Sequence, residues 1–222
     1  MKRKNILAHR GCWDENIPKN SFEALKNALA AGFGIETDFR DCNGVIVVSH
    51  DPPEGDVLEA RALFELYAKL GVNGRIGLNI KADGLQQPLL TLLFESGLPL
   101  ETCYAFDMSV PDARGYISSD FPTYTRLSEY ETEPPLLNFC DGVWVDNFTG
   151  NFPQVTEAKK ILSKGNRACI VSPELHGRDH LPLWNEIASA GLSTNAFFEL
   201  CTDFPQEAHD FFKLNKKRLK ND

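Results

Sequence analysis

Chemistry-bearing side chains in this 222-residue sequence gather in polar positions on, or directly after, short apolar runs. His9 and Arg10 follow Ile6, Leu7 and Ala8; Glu36 and Asp38 alternate with Ile35, Thr37 and Phe39; His50 and Asp51 follow Val45, Ile46, Val47, Val48 and Ser49. Asn79 and Lys81 flank Ile80, and Asp107, Asp146, Glu174 with His176, and Asp203 close later runs. Glu36 and Asp38 are spaced by two, which on a strand puts both carboxylates on one face, where they can share a hard cation. Oxygen-only ligation of this kind suits Mg²⁺ or Ca²⁺ better than zinc. An isolated pair of this spacing equally suits two acids that face solvent or pair with Arg40, so the neighbouring residues decide. His9 and His50 supply two imidazoles, the side chain that exchanges protons near neutral pH, and can form a general acid and base pair. Arg10 and Lys81 add the positive charge that an anionic phosphoryl group requires. Together these residues point to phosphodiester chemistry.

Such residues converge only if the elements beneath them bring strand ends to one place. Strand-like runs at 5–8, 34–39, 45–49, 75–80, 103–106, 123–127, 142–145, 168–171 and 194–197 alternate with amphipathic stretches. The clearest helix carries Phe22, Leu25, Ala28 and Leu29 on one face; Asn20 with Glu23 three residues on reads as its capping box, and Gly32 as its stop. Further helices fit 59–70, 87–96, 110–117, 154–163, 179–190 and 205–219. This alternation implies a parallel sheet with helical crossovers, either open and doubly wound or closed into an eight-stranded barrel. The loop His9-Arg10-Gly11-Cys12 after the first strand lacks the glycine patterns of nucleotide-binding sheets, and the count of about eight strand–helix units favours a single (β/α)8 barrel over residues 1–222. In such a barrel the loops at the carboxyl ends of the strands carry the chemistry.

Composition narrows the function classes. With 42% apolar and 24% charged residues the chain falls in the globular range. Thirty-one acids against 23 bases give a net charge of −8, which excludes a nucleic-acid-coating role that needs a basic face. The six cysteines show no C-x-x-C pair and read as reduced core thiols. The amino end has too few apolar residues before His9 for a secretion signal, and no run is long enough to span a bilayer, so the expected setting is cytoplasmic. The basic run 216–220 reads as the solvated end of a last helix.

Several ordered segments resemble the glycerophosphodiester phosphodiesterase family. Its opening H-R-G and P-E-N-T-like stretch appear as His9-Arg10-Gly11 and Pro18-Lys19-Asn20-Ser21; its E-x-D and following H-D appear as Glu36-Thr37-Asp38 and His50-Asp51. Leu78-Asn79-Ile80-Lys81 is similar to the segment on the third barrel strand, and Thr202-Asp203-Phe204-Pro205 to the closing T-D-x-P. The resemblance implies a TIM barrel with a short insertion after His50, which hydrolyses a small-molecule glycerophosphodiester to glycerol 3-phosphate and an alcohol with one divalent cation, Mg²⁺ or Ca²⁺. It implies His9 and His50 as the catalytic pair, Arg10 and Lys81 as phosphate ligands, and Glu36 and Asp38 as metal ligands. The substrate's own glycerol hydroxyl would be the nucleophile, and a cyclic phosphate would then be hydrolysed with the histidine roles reversed. Asn79 stands where the family carries a third metal carboxylate, Lys19 replaces a glutamate, and only a short segment follows Asp51. Asn79 offers one neutral oxygen. Glu174, in a polar turn with His176 near enough to orient it, is expected to add a metal or substrate ligand. A cyclising phospholipase-C-like enzyme and a catalytically silent barrel that binds a phosphorylated ligand are the competing readings.

Overall fold

The computed structural model describes residues 1–218, with side chains through residue 215. The basic run 216–220, read as a solvated helix end, therefore lies with its side chains outside the described residues. In chain order the elements are β1 (Ile6–His9), α1 (Phe22–Ala30), β2 (Gly34–Cys42), β3 (Val45–Val48), β4 (Leu58–Glu59), α2 (Ala60–Leu70), β5 (Ile76–Ile80), α3 (Gln86–Glu95), β6 (Cys103–Phe106), α4 (Val110–Ser118), β7 (Tyr124–Leu127), β8 (Gly142–Val145), α5 (Gln154–Ser163), β9 (Arg167–Val171), α6 (Leu181–Ser189), β10 (Phe198–Thr202) and α7 (Pro205–Arg218).

Eight strands run parallel in the order β6, β5, β2, β1, β10, β9, β8, β7. The two ends of this ladder meet through a parallel bridge between Ala105 and Thr123, where the Ala105 N–H donates to the Pro122 carbonyl at 2.9 Å. The result is the expected eight-stranded parallel barrel, with seven α-helices among the described residues; the connection from β7 to β8 carries a 3₁₀ turn at Leu137–Phe139 in place of an eighth. The 45–49 run is not one of its staves: β2 continues past the barrel, reverses at Asn43 and Gly44, both in left-handed backbone, and pairs antiparallel with β3, which in turn pairs with β4. An Asn-Gly pair with positive φ at both residues is the turn that matches the twist of a tight hairpin.

Two further expectations are corrected. The last strand is Phe198–Thr202 rather than 194–197, which lies in and after a 3₁₀ turn with Phe197 49% exposed. Glu199 hid it, because an acid inside a fully buried strand breaks the apolar pattern on which such a strand is recognised. The N-cap of α1 is Ser21, whose hydroxyl accepts from the Ala24 N–H at 3.1 Å, and not Asn20, whose φ of 61° and side-chain contacts belong to the site.

Strand alternation sorts the side chains. Leu7, Tyr104, Phe106, Tyr124, Trp144, Cys169, Val171 and Cys201 fill the barrel interior. The opposite faces pack on helices, with Ile35, Ile76 and Leu78 against Leu25, Leu63 and Leu89 on one side, and Val143, Ile170 and Leu200 against Ile161, Trp184 and Phe212 on the other. The floor of the barrel is polar. Arg75 donates to the Tyr124 hydroxyl at 2.7 Å and lies 3.7 Å from Glu199. Burial, reinforced by Glu199, pushes the Tyr124 phenol well above its ordinary value, so it keeps its proton and donates to Glu199 at 3.2 Å. Tyr124 stacks on Tyr104 with ring centroids 3.9 Å apart, in space that Gly142 leaves open because a Cβ there would enter the Tyr124 ring. Above this floor Phe106 stacks on Trp144 at 4.0 Å. The barrel is therefore plugged, and everything polar beyond Phe106 and Trp144 opens only at the carboxyl ends of the strands.

Candidate active site

His9 ends β1, and its Nδ1 lies 2.6 Å from Asp203 Oδ1 just past β10, the neighbouring strand. Lys19 Nζ approaches the other Asp203 oxygen at 3.5 Å and sits over the Trp13 ring at 4.0 Å. Burial alone would raise the Asp203 carboxyl, but the His9 bond and the Lys19 ammonium outweigh it and hold the group below its ordinary value. An ionised carboxylate accepts only, so His9 carries its proton on Nδ1 and presents Nε2 to the cleft, 3.8 Å from Glu36 Oε2. Arg10 follows with φ 58°, and Gly11 with φ 93° lies so close to α1 that a Cβ would fall 2.5 Å from the Ala24 carbonyl carbon. The glycine in H-R-G is thus what lets the loop turn under α1.

Glu36 and Asp38 point into the barrel from β2, paired in register with Gly77 and Asn79 of β5. Asp38 is enclosed by cations and an amide: Arg10 Nε at 2.9 Å, Lys81 Nζ at 3.6 Å and Asn20 Nδ2 at 2.8 Å. Asn20 in turn accepts from the Thr37 hydroxyl at 2.7 Å. Asn79 donates to Glu36 Oε1 at 3.0 Å. Burial, reinforced by the Asp38 charge, pushes the Glu36 carboxyl up despite His9, Asn79 and Arg10. Three buried oxygens on these side chains, Glu36 Oε2, Asp38 Oδ1 and Asn79 Oδ1, have no hydrogen-bond partner. Among the described residues no cluster of three or more His, Cys, Asp or Glu has a metal-holding arrangement. The donor set is two carboxylates and one amide oxygen, which fits a hard cation with fewer charges than three carboxylates would supply.

His50 lies on the turn after β3. Ser49 N–H donates to the Asp38 carbonyl at 3.0 Å, and Arg40 donates to the His50 carbonyl at 3.3 Å, so Arg40 braces this turn and does not pair with Glu36 or Asp38. The imidazole is 45% exposed, with Nδ1 at 3.0 Å from Asp51. His9, Arg10, Glu36, His50, Asn79 and Lys81 all line one cleft of about 370 Å³.

The far wall of that cleft comes from β6, β7, β8 and β9. Lys81 reaches Asp107 at 3.2 Å, Asp107 also pairs with Arg126, and Arg126 pairs with Glu131. His176 Nε2 lies 2.7 Å from Asp146 Oδ1, with Phe148 against the ring. Glu174, expected to supply a metal or substrate oxygen, uses Oε1 on β10, where it accepts from the Thr202 hydroxyl and, at 3.1 Å, from the Asp203 N–H, while its Oε2 is buried without a hydrogen bond. Its neighbours Leu175 and His176 line the cleft.

The sequence matches no family profile and no curated protein. Solved structures do match. One assigned as a glycerophosphodiester phosphodiesterase, from Galdieria sulphuraria, superposes with a TM-score of 0.74 at 19% identity, over 94% of this chain and 97% of that one. The glycerophosphodiester phosphodiesterase of Agrobacterium tumefaciens gives 0.65 at 18%, over 95% and 99%. A phosphodiesterase of Oleispira antarctica, in complex with its product sn-glycerol-3-phosphate, gives 0.69 at 15%, over 94% and 96%. This is the glycerophosphodiester phosphodiesterase fold.

Within that fold, four features of the cleft were not assigned from sequence. Asn20 passed for a helix cap, Asp146 was visible only as an acid at a strand end, and Asp203 only as part of the closing T-D-x-P, without its histidine partner. His176 was placed beside Glu174, but its partner is Asp146, 30 residues earlier in sequence and on the adjacent strand. A spacing of that kind carries no local signal; only the ring order of strands creates it.

Proposed function

We propose that this chain is a metal-dependent glycerophosphodiester phosphodiesterase that releases glycerol 3-phosphate and an alcohol. The observation that carries the reading is the meeting, in one cleft, of a carboxylate-anchored histidine, a second histidine and two cations, beside buried oxygens of Glu36, Asp38 and Asn79 that make no hydrogen bond. The solved relatives of the same fold add support, one of them holding sn-glycerol-3-phosphate.

In this reading Arg10 and Lys81 hold the phosphate, Arg10 through a planar fork and Lys81 as a point charge. Asp203 fixes the His9 tautomer, so Nε2 takes the proton from the attacking glycerol hydroxyl while Asp203 stabilises the imidazolium that forms. His50 protonates the leaving alcohol oxygen, and the two histidines exchange roles when water opens the cyclic phosphate. Glu36, Asp38 and Asn79 would hold one Mg²⁺ or Ca²⁺. A bound dication there supplies Lewis-acid neutralisation of developing phosphoryl charge. The test is a panel of glycerophosphodiesters read by glycerol 3-phosphate release, with and without chelator. Metal-restored release is the expected result. Binding without turnover would favour a silent barrel, and accumulation of cyclic phosphate a cyclising enzyme.

A further inference from the structure

The ring order of the strands places β1 and β2, with His9, Glu36 and Asp38, diametrically across the mouth from β7 and β8. A phosphodiester held between Arg10 and Lys81 therefore extends one ester arm toward the wall formed by Arg126, Trp144, Asp146, Phe148 and His176. That wall is built rather than loose. The buried Asn147 side chain accepts the Gly150 and Phe152 N–H groups at 2.8 and 3.2 Å and fixes the loop that carries Phe148. Arg178 donates to the Asn147 carbonyl and ties the β9 turn to this loop, and Glu129 accepts the Thr149 N–H and ties in the loop after β7. Phe148 packs against His176 at 5.0 Å and Tyr130 at 5.7 Å.

Its charged groups are already engaged by ion pairs or hydrogen bonds. Asp107 is held by Lys81 and Arg126, Glu131 by Arg126, and Asp146 by His176 and by the Asn147 N–H at 2.7 Å. An ammonium-bearing arm finds no free carboxylate among the described residues of this wall, and an anionic arm finds no free cation. His176, by contrast, uses only Nε2 on Asp146. Its Nδ1 accepts from a hydroxyl when the ring is neutral and donates to one when the ring is charged, so a hydroxyl is satisfied in either state. The face of Phe148 offers apolar surface to the C–H side of a polyol.

We propose that Asp146, Phe148 and His176 form a subsite for a neutral, hydroxyl-bearing arm of the phosphodiester, with His176 as its specificity-determining residue. The inference rests on the phosphodiesterase reading for the position of the phosphate. The hydroxyls can come from the glyceryl arm or from the alcohol arm, and two substrates and one competitor separate these: bis(glyceryl) phosphate, glycerophosphocholine and, as an inhibitor with no glyceryl nucleophile, bis(p-nitrophenyl) phosphate. Loss of one hydrogen bond to a neutral hydroxyl is worth about three- to tenfold, read in KM because the contact serves ground and transition states alike. In His176→Phe the KM for bis(glyceryl) phosphate should rise by that factor, while the inhibition constant of bis(p-nitrophenyl) phosphate stays within about twofold. A parallel rise for glycerophosphocholine assigns the glyceryl arm; no rise assigns the alcohol arm. Phe148→Ala, at a 38% exposed position, should raise the same KM without disturbing Asp146. An unchanged KM for bis(glyceryl) phosphate in both variants, or an equal rise in both KM values and in the inhibition constant of bis(p-nitrophenyl) phosphate, overturns the subsite. Calorimetric binding of bis(glyceryl) phosphate against dimethyl phosphate makes the same comparison without turnover. A His176-dependent preference in an inactive protein would refute the phosphodiesterase reading and leave the subsite standing; no preference would refute the subsite.

Discussion

Replacing Asp203 by asparagine tests the proton-handling role of His9 most directly. The two side chains meet at 2.6 Å, with His9 only 15% and Asp203 9% exposed, so water compensates little of what is lost. A hydrogen bond to a charged partner contributes about 1.5–3 kcal/mol. At 1.36 kcal/mol per decade this corresponds to about a 10- to 150-fold loss of kcat/KM from charge stabilisation alone. An asparagine amide turned with its NH₂ toward Nδ1 adds to this, because it moves the ring proton to Nε2, where the base must act. The ceiling is the whole acid–base contribution, about 10²–10⁴-fold, which His9→Ala reports. The expected value for Asp203→Asn lies between these limits, measured as glycerol 3-phosphate release from a glycerophosphodiester at saturating Mg²⁺, with KM little changed. In the double variant with His9→Ala the Asp203 change should cost nothing further, since it acts through a ring no longer present. A loss of less than about threefold, or losses that multiply in the double variant, would refute the argument from tautomer and charge.

The same carboxylate governs acid stability. Its folded value lies below the ordinary one, so the stability it contributes is complete above about pH 4 and is lost as pH falls through the folded value; thermal melts of Asp203→Asn should show a flatter acid limb, and superimposable limbs would contradict this. Asn79→Glu should restore a third carboxylate and lower the half-saturating metal concentration by about threefold or more, while lowering the melting temperature in chelator through repulsion with Glu36 and Asp38; an unchanged metal titration argues against a cation between them. His50→Ala should reduce turnover by about 10²-fold or more if its exposed imidazole protonates the leaving oxygen, and more than a third of the wild-type rate remaining would remove it from the catalytic pair. Gly142→Ala should destabilise by about 1–3 kcal/mol in urea unfolding, because its Cβ must displace the Tyr124 ring from Tyr104; wild-type stability would show that the floor can repack.

Much of this arrangement is written locally in the chain. The periodicities of 34–39, 75–80, 103–106 and 142–145 mark strands because their apolar faces must pack on helices, and the spacing of Glu36 and Asp38 puts both carboxylates on one face of their strand, opposite the apolar face of Ile35 and Phe39. Their placement beside His9, Arg10 and Lys81 follows from the position of those residues at strand ends. What the sequence could not supply are pairs made by strand neighbourhood. His9 with Asp203 spans 194 residues, and Arg75 with Glu199 joins the first half of the chain to the last strand. Glu199 even concealed its own strand, since local hydrophobicity treats a buried ion-paired acid as a surface residue. Asn20 was misjudged for a related reason: a side chain that caps, braces or ligates has the same composition in every case, and only the three-dimensional neighbour selects among these uses. Local chemistry determined which strand ends carry reactive groups. Closure of the ring between Ala105 and Thr123 decided which of them face one another, because a parallel barrel brings the first strand against the last and sets β7 and β8 opposite β1 and β2.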